Sequence, residues 1–336
     1  MSKILLFPTR PAYLTLYVTN RCTLRCKTCF LNFDKPDKNE LTLPEIDKIA
    51  FYLRGLIWLD ITGGEPFLRK DLPDICAKFD TYSLTIPTNG FDPALISEMT
   101  QEIRKRTSAV MNIAVSIDGF EATHDEIRSK GSFQRAIETL KLLKQIKGIK
   151  VRIITVLCER NYDETIDFMR FIKTFDIDFH SINFRRGPAT ISKYSCPSVE
   201  KLEEIKENIF RIWKTYDYGF KTLEGKILRN YQQLMYETSL RIIKEKRQIP
   251  SCLAGKYHSV IWANGDYSFC EMLEPFGNIR EEDIGLLLKS KKAEKVRRSI
   301  RDGKCYCYHN CNMIDNFFLN PLHYPKLLRG AWKWSR

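Results

Sequence analysis

The sequence predicts an α/β fold with six parallel strands, followed by a smaller cysteine-rich region. Three observations support this prediction. Short apolar runs rich in β-branched residues alternate with segments of helical periodicity, a pattern typical of parallel βαβ units. The length of 336 residues suits one barrel-sized domain plus a smaller one. Five of the eleven cysteines lie between residues 252 and 311, which sets that part of the chain apart.

Six runs rich in β-branched and aromatic residues predict the strands of the core. Between them lie segments whose apolar residues recur at helical spacing, such as the stretch from Ile46 to Leu53 after Pro44. Because strands that alternate with helices pair in parallel, these runs are assigned to one α/β core. The predicted strands are Tyr13–Thr19, Ile57–Thr62, Ser83–Pro87, Met111–Ile117, Lys150–Val156 and Phe179–Phe184.

Two regions of different predicted secondary structure follow this core. Two long amphipathic patterns predict a pair of bridging helices. Two strand-like runs, Ser259–Ala263 and Tyr267–Cys270, then flank Asn264-Gly265, a strong hairpin turn dipeptide. The predicted divisions are a core over 1–196, a helical bridge over 197–247, a small α+β domain over 248–315 and a basic aromatic tail over 316–336.

The composition favours a protein of a reducing compartment. Eleven cysteines occur without an N-terminal signal peptide, so metal ligation is favoured over disulfides and a cytoplasmic location is expected. No run of about 18 uninterrupted apolar residues predicts a membrane-spanning helix. The net charge of +13 concentrates in residues 289–336, where seven Lys and five Arg face three acidic residues. Such a basic surface is more often a solvated face than a binding site for nucleic acid or anionic lipid.

Directly after the first predicted strand, the chain carries Cys22, Cys26 and Cys29 in a C-x3-C-x2-C arrangement. The carboxyl ends of parallel strands are where α/β folds place their chemistry. Three thiolates on one loop can hold three irons of a [4Fe–4S] cube and leave the fourth iron open to another ligand. A structural zinc site is the alternative, although closed zinc sites usually pair two cysteine knuckles or add histidines. The spacing by itself is compatible with both kinds of site.

Three further motifs follow the next three predicted strands. Gly63-Gly64-Glu65-Pro66 combines adjacent glycines, which permit close backbone approach, with a carboxylate that suits a cation. Thr88-Asn89-Gly90 follows the third strand. Ser116-Ile117-Asp118-Gly119 ends the fourth strand and offers a hydroxyl and a carboxylate that can bond a diol. Each motif alone could be a turn. Together with the cysteine loop, however, they make four motifs in order after four successive strands, an arrangement that chance seldom produces. The fourth is followed by His124-Asp125, Arg128 and Gly131-Ser132-Phe133.

These motifs, in this order, resemble those of the radical S-adenosylmethionine (SAM) superfamily. The resemblance implies a partial (β/α)6 TIM-like barrel, with a small C-terminal α+β cluster-binding domain, in which the three cysteines hold a [4Fe–4S] cluster whose open iron chelates SAM. Thr28 is a departure, because many members carry an aromatic residue near the adenine at this position. The residues that the resemblance places around SAM are Gly63, Gly64 and Glu65 at the methionyl ammonium, Asn89, and Ser116 and Asp118 at the ribose.

The C-terminal cysteines form a second group. Cys252 and Cys270 stand in a C-x12-G-x4-C pattern around the predicted hairpin, and Cys305, Cys307 and Cys311 follow. The hairpin half is similar to SPASM and twitch domains, which implies an auxiliary [4Fe–4S] cluster, and five cysteines favour a single one. We expect Cys252, Cys270 and two of the other three as ligands. His309 is an alternative ligand, and a zinc-stapled subdomain is the alternative site. Cys76, Cys158 and Cys196 lack spaced partners and are interpreted as buried or incidental thiols.

By the same resemblance, an electron donor such as flavodoxin or ferredoxin reduces the first cluster, and cleavage of SAM yields a 5′-deoxyadenosyl radical that abstracts hydrogen from the substrate. The auxiliary cluster would accept the substrate's electron. A net two-electron oxidation is therefore the expected outcome, with a redox-neutral rearrangement as the alternative. No catalytic side chain follows from the sequence, and four chemically able residues are expected to be structural. They are Tyr194, Tyr257, Glu271 and Glu274.

The sequence leaves the substrate open between a small molecule, a carrier-linked group and a peptide. About a dozen residues precede the first predicted strand, which favours a small or carrier-linked substrate over one that needs a leader-peptide recognition domain. The ending from Asn316 to Trp334 mixes aromatics with Lys and Arg, which suits a helix packed on the barrel better than a peripheral membrane contact. A nucleic-acid-modifying enzyme and a non-catalytic cluster carrier or scaffold are the competing functions, and no added nucleic-acid-binding module is recognised.

Overall fold

A nine-stranded sheet organises the part of the chain that the structure describes. The computed structural model describes residues 10–31, 39–187, 191–220, 223–308 and 310–333. The strand order is β6-β5-β4-β3-β2-β1-β7-β8-β9. The strands are β1 (Tyr13–Thr19), β2 (Leu56–Gly63), β3 (Thr81–Thr88), β4 (Val110–Ser116), β5 (Ile149–Leu157), β6 (Phe179–Phe184), β7 (His258–Ile261), β8 (Asp266–Ser268) and β9 (Gly277–Asn278).

The helices cover the outer face of this sheet and continue beyond it. The first six connect successive strands of the core, as the predicted βαβ pattern requires. The helices are α1 (Leu43–Tyr52), α2 (Leu72–Ala77), α3 (Pro93–Arg106), α4 (Glu121–Ile127), α5 (Ser132–Leu143), α6 (Thr165–Lys173), α7 (Val199–Trp213), α8 (Leu223–Glu245), α9 (Ile284–Lys289), α10 (Lys291–Arg301), α11 (Asn310–Phe318) and α12 (Tyr324–Lys333).

The six predicted core strands are confirmed. β1 and β6 have the predicted bounds, and the other four differ by at most two residues at either end. Neighbouring strands from β1 to β6 all pair in parallel. The fold is therefore a mixed α/β fold with the parallel sheet of a partial TIM barrel, as expected.

Alternation along the strands decides which side chains face the lumen of the partial barrel. On β5, Val151, Ile153 and Leu157 are buried in the apolar core beneath the helices. Arg152, between Val151 and Ile153, instead faces the lumen, because successive side chains of a strand point to opposite faces. Asp60 of β2 also faces the lumen. The lumen consequently carries charged groups on an otherwise apolar wall.

The cysteine-rich region continues the barrel sheet. β7 pairs in parallel with β1, from Tyr13 opposite His258 to Leu16 opposite Ile261. β7 and β8 then form the predicted antiparallel hairpin, and Gly265 in its turn has φ +89°, a conformation that favours glycine. Cys270 therefore lies two residues after β8, which is separated from β1 by the single strand β7.

The C-terminal end packs on the bridging helices. The side-chain amide of Asn230 in α8 donates hydrogen bonds to the carbonyl oxygens of Lys326 and Leu327 in α12, at 2.7 and 2.6 Å. Leu327 is buried against Tyr231 and Met235 of α8. Trp334 of the predicted tail lies outside the described residues. Among the residues that are described, no helix is both long and apolar enough to cross a membrane. The described part of the tail thus forms a packed helix.

Candidate active site

A cavity of about 1200 Å³ occupies the lumen and joins most of the predicted site residues. The cysteine loop and the Gly63–Glu65 loop line it at the carboxyl ends of β1 and β2. The parallel strands bring these loops together because their carboxyl ends meet at one edge of the sheet. The predicted site residues on the lining are Cys22, Cys26, Cys29, Gly63, Gly64, Glu65, Asn89, Ser116 and Cys311.

The three thiols of the cysteine loop receive polar contacts from the barrel. The Leu24 backbone N–H lies 3.4 Å from Cys22 Sγ, and the Asn89 amide lies 3.7 Å from the same sulfur. The Arg128 guanidinium lies 3.8 Å from Cys26 Sγ. Burial raises the pKa of Cys26 to about 11, and Arg128 opposes this rise. Donors and a cation aimed at sulfur fit thiolates that bind iron, because metal binding removes the thiol protons.

Gly63 and Gly64 allow their backbone to approach the segment from Thr19 to Arg21 closely. Gly64 N donates to Thr19 O at 2.9 Å, and Glu65 N donates to Arg21 O at 2.8 Å. A Cβ atom on Gly64 would lie 2.2 Å from Arg21 O, which no side chain can tolerate. The loop therefore packs directly on the segment that leads to Cys22. Close approach to the cysteine loop is the role that the structure gives to these glycines.

The Glu65 carboxylate connects the second and third motifs. It accepts hydrogen bonds from Asn89 N at 2.7 Å, Thr88 Oγ1 at 3.0 Å and Phe67 N at 3.3 Å. Burial raises the pKa of Glu65 to about 7. A carboxylate has about four acceptor positions, so one is left for a ligand's ammonium group. Its predicted contact with the methionyl ammonium of SAM stays a prediction that this geometry permits.

Asp118 forms a buried ion pair with Arg128. It is fully buried and lies outside the described lining of the cavity. One carboxylate oxygen lies 2.7 Å from Arg128 Nε, and the other accepts a hydrogen bond from Val156 N at 2.8 Å. From this position Asp118 holds Arg128 beside Cys26, whereas Ser116 lines the cavity. The sequence pattern could not show this pair, because it does not separate a buried ion pair from a ligand contact. The ribose contacts of both residues stay predictions.

The second group of cysteines is assembled from separate segments. Burial raises the pKa of Cys252, and the neighbouring thiols of Cys307, Cys270 and Cys305 raise it further. Ala254 N and Met272 N lie 3.5 and 3.4 Å from Cys252 Sγ and Cys270 Sγ. Among the described residues, no three metal-ligating side chains are already gathered tightly around one point. His309 lies outside the described residues. The donor set of four thiols with backbone N–H donors fits a fully ligated [4Fe–4S] cluster.

The lumen also holds polar residues for which no functional role was predicted. The Tyr13 hydroxyl donates to Asp60, and the Tyr17 hydroxyl donates to Glu271. Glu271 also pairs with Arg186 at 3.5 Å. Asp60 could have indicated these polar residues of the lumen, because it is a charged residue inside an otherwise apolar predicted strand. These side chains place polar and charged groups on the wall of the lumen.

Glu271 is separated from the other three residues that were expected to be structural. It lines the cavity, whereas Tyr194, Tyr257 and Glu274 are absent from its described lining. The Tyr194 hydroxyl donates to Glu126 at 3.1 Å, and the Tyr257 carbonyl accepts from Ala12 N and Tyr13 N. Of these four residues, only Glu271 therefore lies on the described lining, and the structural interpretation of all four stays a prediction.

The fold and the two cysteine groups define a SAM-dependent iron–sulfur enzyme. Residues 16–172 match the model of the radical SAM superfamily. Residues 252–312 match the model of SPASM, an iron–sulfur cluster-binding domain. The chain therefore carries a radical SAM domain and a C-terminal SPASM domain, as the motifs predicted. These domains imply a [4Fe–4S] cluster with SAM and an auxiliary iron–sulfur cluster.

The chain is similar to two groups of curated proteins. It is 29% identical over 314 residues to a GTP 3′,8-cyclase of Peptoclostridium acidaminophilum, covering 87% of this chain and 92% of that protein. A GTP 3′,8-cyclase of Helicobacter pylori is 27% identical over 62% of this chain and 71% of its own length. The subtilosin biosynthesis protein AlbA of Bacillus subtilis is 29% identical, over 52% of this chain and 39% of its own length.

Solved structures show the same fold. Streptococcus suis SuiB bound to S-adenosylmethionine has a TM-score of 0.63 at 18% identity, covering 88% of this chain and 70% of that protein. The enzyme anSMEcpe with bound AdoMet and the Cp18Cys peptide has a TM-score of 0.65 at 15% identity, covering 96% of this chain and 99% of that one. At these identities the similarity concerns the fold.

Proposed function

We propose that this radical SAM enzyme is an oxidoreductase of the maturase type, which removes two electrons and two protons in total from a substrate bound in the lumen. The observation that carries this proposal is the position of Glu271. It lies on the cavity wall and accepts a hydrogen bond from Tyr17, yet it directly follows Cys270 in the chain. An auxiliary cluster bound to Cys270 would therefore lie next to a residue of the cavity wall. This position suits the cluster to accept an electron from the substrate.

The chain's own residues would hold and shield the reacting groups. When bound, the N-terminal cluster and SAM supply a 5′-deoxyadenosyl radical, and the auxiliary cluster supplies an electron acceptor. The substrate loses one hydrogen atom to the radical, then one electron and one proton, which accounts for the net oxidation. Glu271 is the proposed acceptor of the proton, because it lines the cavity and directly follows Cys270. Apolar walls around the lumen exclude water that would quench the radical.

The substrate class is proposed as a small molecule, a carrier-linked group or a peptide side chain. The cavity of about 1200 Å³ exceeds the usual size of a pocket for one small ligand. The names of the GTP cyclases support a small molecule. AlbA, which acts in bacteriocin biosynthesis, and SuiB, solved with the precursor peptide SuiA, support a peptide. An electron donor such as flavodoxin or ferredoxin remains part of the proposal, as does a cytoplasmic location.

The experiment is anaerobic reconstitution followed by an assay of 5′-deoxyadenosine formation from SAM with dithionite. Wild type, Cys26→Ala and Cys270→Ala are compared, with Cys196→Ala as a control thiol outside both groups. Wild type should hold about eight irons per chain, because each [4Fe–4S] cluster contains four. Cys26→Ala should form no 5′-deoxyadenosine, whereas Cys270→Ala and Cys196→Ala should still form it. A fully loaded wild type that cleaves no SAM would favour a non-catalytic carrier or scaffold instead.

A further inference from the structure

We infer that the lumen has a second mouth at the amino ends of the strands, and that the half of the lumen next to this mouth binds the apolar chain of an amphiphilic substrate. The polar part of that substrate would lie across the middle of the lumen, towards the SAM-binding loops. The inference rests on the proposed function, because it names the substrate class of that same site.

The cavity extends over the whole height of the sheet. On β2 its lining runs from Leu56, the first residue of the strand, to Gly63, the last. On β4 it likewise runs from Val110 to Ser116, the first and last residues of that strand. Seven steps along β2 correspond to about 23 Å. Because layers of side chains ordinarily fill the interior of a closed barrel, an open lumen of this length suits an elongated ligand.

The cavity has exposed lining residues at the end opposite the cysteine loop. Tyr82, at the start of β3, and Leu328, on α12, are 55% and 43% exposed, and both line the cavity. Gly55, just before β2, and Glu224, at the start of α8, are also exposed and line it. Phe30 is exposed on the lining at the other end. In the part of the chain that the structure describes, the lumen is therefore open at both ends. SAM bound by the cysteine and glycine loops would occupy one end, which leaves the other for the substrate.

The half of the lumen next to the second mouth, called the lower chamber here, has an apolar wall. Its lining comes from the first residues of β2 and β4 and from the segments around α8 and α12. The apolar residues are Leu56, Val110, Phe220, Ile227, Leu228 and Leu327. The charged lining residue of this part, Glu224, is exposed at the mouth itself. Such a wall stabilises a hydrocarbon chain, because burial of each methylene removes apolar surface from water.

A belt of polar side chains separates the lower chamber from the SAM-binding loops. Asp60 of β2 is paired in register with Thr85 of β3, and Thr85 with Asn112 of β4. All three line the cavity, as does Arg152 of β5. The Arg152 Nε atom is buried and has no hydrogen-bond partner among the described residues. Because buried polar atoms in folded proteins are ordinarily paired, this atom marks a place for a polar group of the ligand.

The position of the belt sets the orientation of the substrate. Asp60 precedes Gly63 by three residues, which corresponds to about 10 Å along the strand. A polar group bound at the belt would therefore hold the neighbouring carbon atoms between the belt and the SAM-binding loops. The rest of the molecule would extend down into the lower chamber.

An apolar chain in the lower chamber would also seal the second mouth. A reactive radical must be kept from water, whereas a compact polar substrate at the belt would leave the chamber open to solvent. An extended peptide is disfavoured as the occupant of the chamber, because its backbone N–H and C=O groups would meet an apolar wall without hydrogen-bond partners. A single long hydrocarbon chain satisfies both conditions.

Calorimetric titration of the reconstituted wild type with straight-chain 1-alkanols, from hexanol to decanol, tests the inference. The affinity should rise by up to about 4-fold for each added methylene that enters the chamber. Leu228→Glu places a charge in the chamber and Val110→Trp fills it, so both should reduce the increment to less than about 2-fold. Leu286→Glu, at an exposed position of α9 outside the described lining, is the matched control and should bind like wild type. Thermal unfolding verifies that each variant is folded.

Two results would overturn the inference. One is an affinity that does not change with chain length in wild type, or that changes equally in wild type and in both folded variants. The other is tighter binding of octaglycine than of 1-decanol, which would identify the occupant as a peptide. Because the titration needs neither reductant nor SAM cleavage, the inference and the proposed function can fail separately. Absence of 5′-deoxyadenosine formation, with the chain-length dependence retained, would contradict only the proposed function.

Discussion

The two cysteine regions are built in different ways. Cys22, Cys26 and Cys29 lie on one short loop, and side chains from other barrel elements, Asn89 and Arg128, reach their sulfur atoms. The C-terminal thiols come from distant segments, and backbone N–H groups two residues downstream contact two of them. The first region is therefore tuned by the barrel and lies open to its lumen. In the second region, the thiols neighbour one another and are contacted by backbone N–H groups of the same region.

The difference agrees with the separate tasks proposed for the two sites. Three ligands leave an iron to which SAM can bind, and the surrounding loops carry the groups that would hold SAM. Four ligands leave none, which suits a cluster that only accepts electrons. Glu271 and Arg186 connect the two regions, because Arg186 also lies over the Phe30 ring, next to Cys29, at 4.1 Å.

The largest expected effect is that of Gly64→Ala. The added Cβ would meet Arg21 O at 2.2 Å, so the glycine loop must move away from the cysteine loop. We expect 5′-deoxyadenosine formation to fall by at least about 100-fold, with the auxiliary electron paramagnetic resonance (EPR) signal retained, because such a backbone displacement exceeds the tolerance of an active site. Gly148→Ala is the control for backbone strain without a clash, since φ +80° disfavours alanine there but the added Cβ would meet only Arg104 Cδ at 3.6 Å. Full SAM cleavage by Gly64→Ala would show that this packing is dispensable.

Arg128→Met should have the next largest effect, on both stability and the first cluster. It leaves Asp118 buried without its partner, which costs about 3–5 kcal/mol of folding free energy. It also removes the cation beside Cys26. Thermal unfolding and iron content measure the two consequences, and the double variant Arg128→Met, Asp118→Asn should recover stability without restoring the cation. Arg160→Met, which breaks the half-exposed pair with Glu126, should cost less than about 1 kcal/mol. If Arg128→Met and Arg160→Met lost the same folding free energy, the larger contribution expected from the buried Arg128–Asp118 pair would be contradicted.

A smaller effect is expected for Glu65→Gln, and it should depend on pH. Burial raises the pKa of Glu65 to about 7, so wild type gains the carboxylate as pH rises through neutrality. SAM binding should strengthen from pH 6 to pH 8 in wild type and stay flat in Glu65→Gln, with about 10-fold weaker binding at pH 8. The raised pKa also predicts that protein without clusters loses stability as pH rises from about 4.5 to 7. A similar pH profile of SAM affinity in both proteins would exclude Glu65 as the ammonium ligand.

The smallest effect is expected at the second region. Gln248→Ala removes the acceptor that Cys307 N reaches at 2.8 Å, which costs about 1 kcal/mol. The auxiliary cluster should lose iron faster to a chelator, with SAM cleavage unchanged. Gln134→Ala, at an exposed position bonded to Glu121, should alter neither. A change in SAM cleavage with Gln248→Ala would show that the two regions are coupled more tightly than proposed.

Much of the barrel could be predicted from the sequence because its signals are local. The bounds of β1 and β6 follow from short runs that contain aromatic and β-branched residues, and the four motifs follow the strands that position them. The parallel pairing of β7 with β1 could not be predicted, since those strands are more than 200 residues apart and either edge of a sheet can accept a partner. The hairpin turn at Gly265 is local and was predicted.

At the candidate site, residue types could be predicted but orientations could not. The sequence suggested Asp118 as a ligand contact, and the structure adds a buried pair with Arg128 that the motif could not show. It left Cys305, Cys307 and Cys311 equivalent, whereas the structure places only Cys311 on the lumen. Such distinctions depend on which face of a strand or helix a side chain occupies in the packed protein. Asp60 is the exception, because a charge within an apolar strand is visible in the sequence.

The separation of tasks between the two regions is tested most directly by EPR of reduced Cys26→Ala and Cys270→Ala proteins, recorded with and without SAM. SAM should change the signal of Cys270→Ala, whose first cluster has an open iron, and should leave the signal of Cys26→Ala unchanged. A SAM-dependent change in Cys26→Ala, with none in Cys270→Ala, would contradict the assignment of SAM to the N-terminal loop.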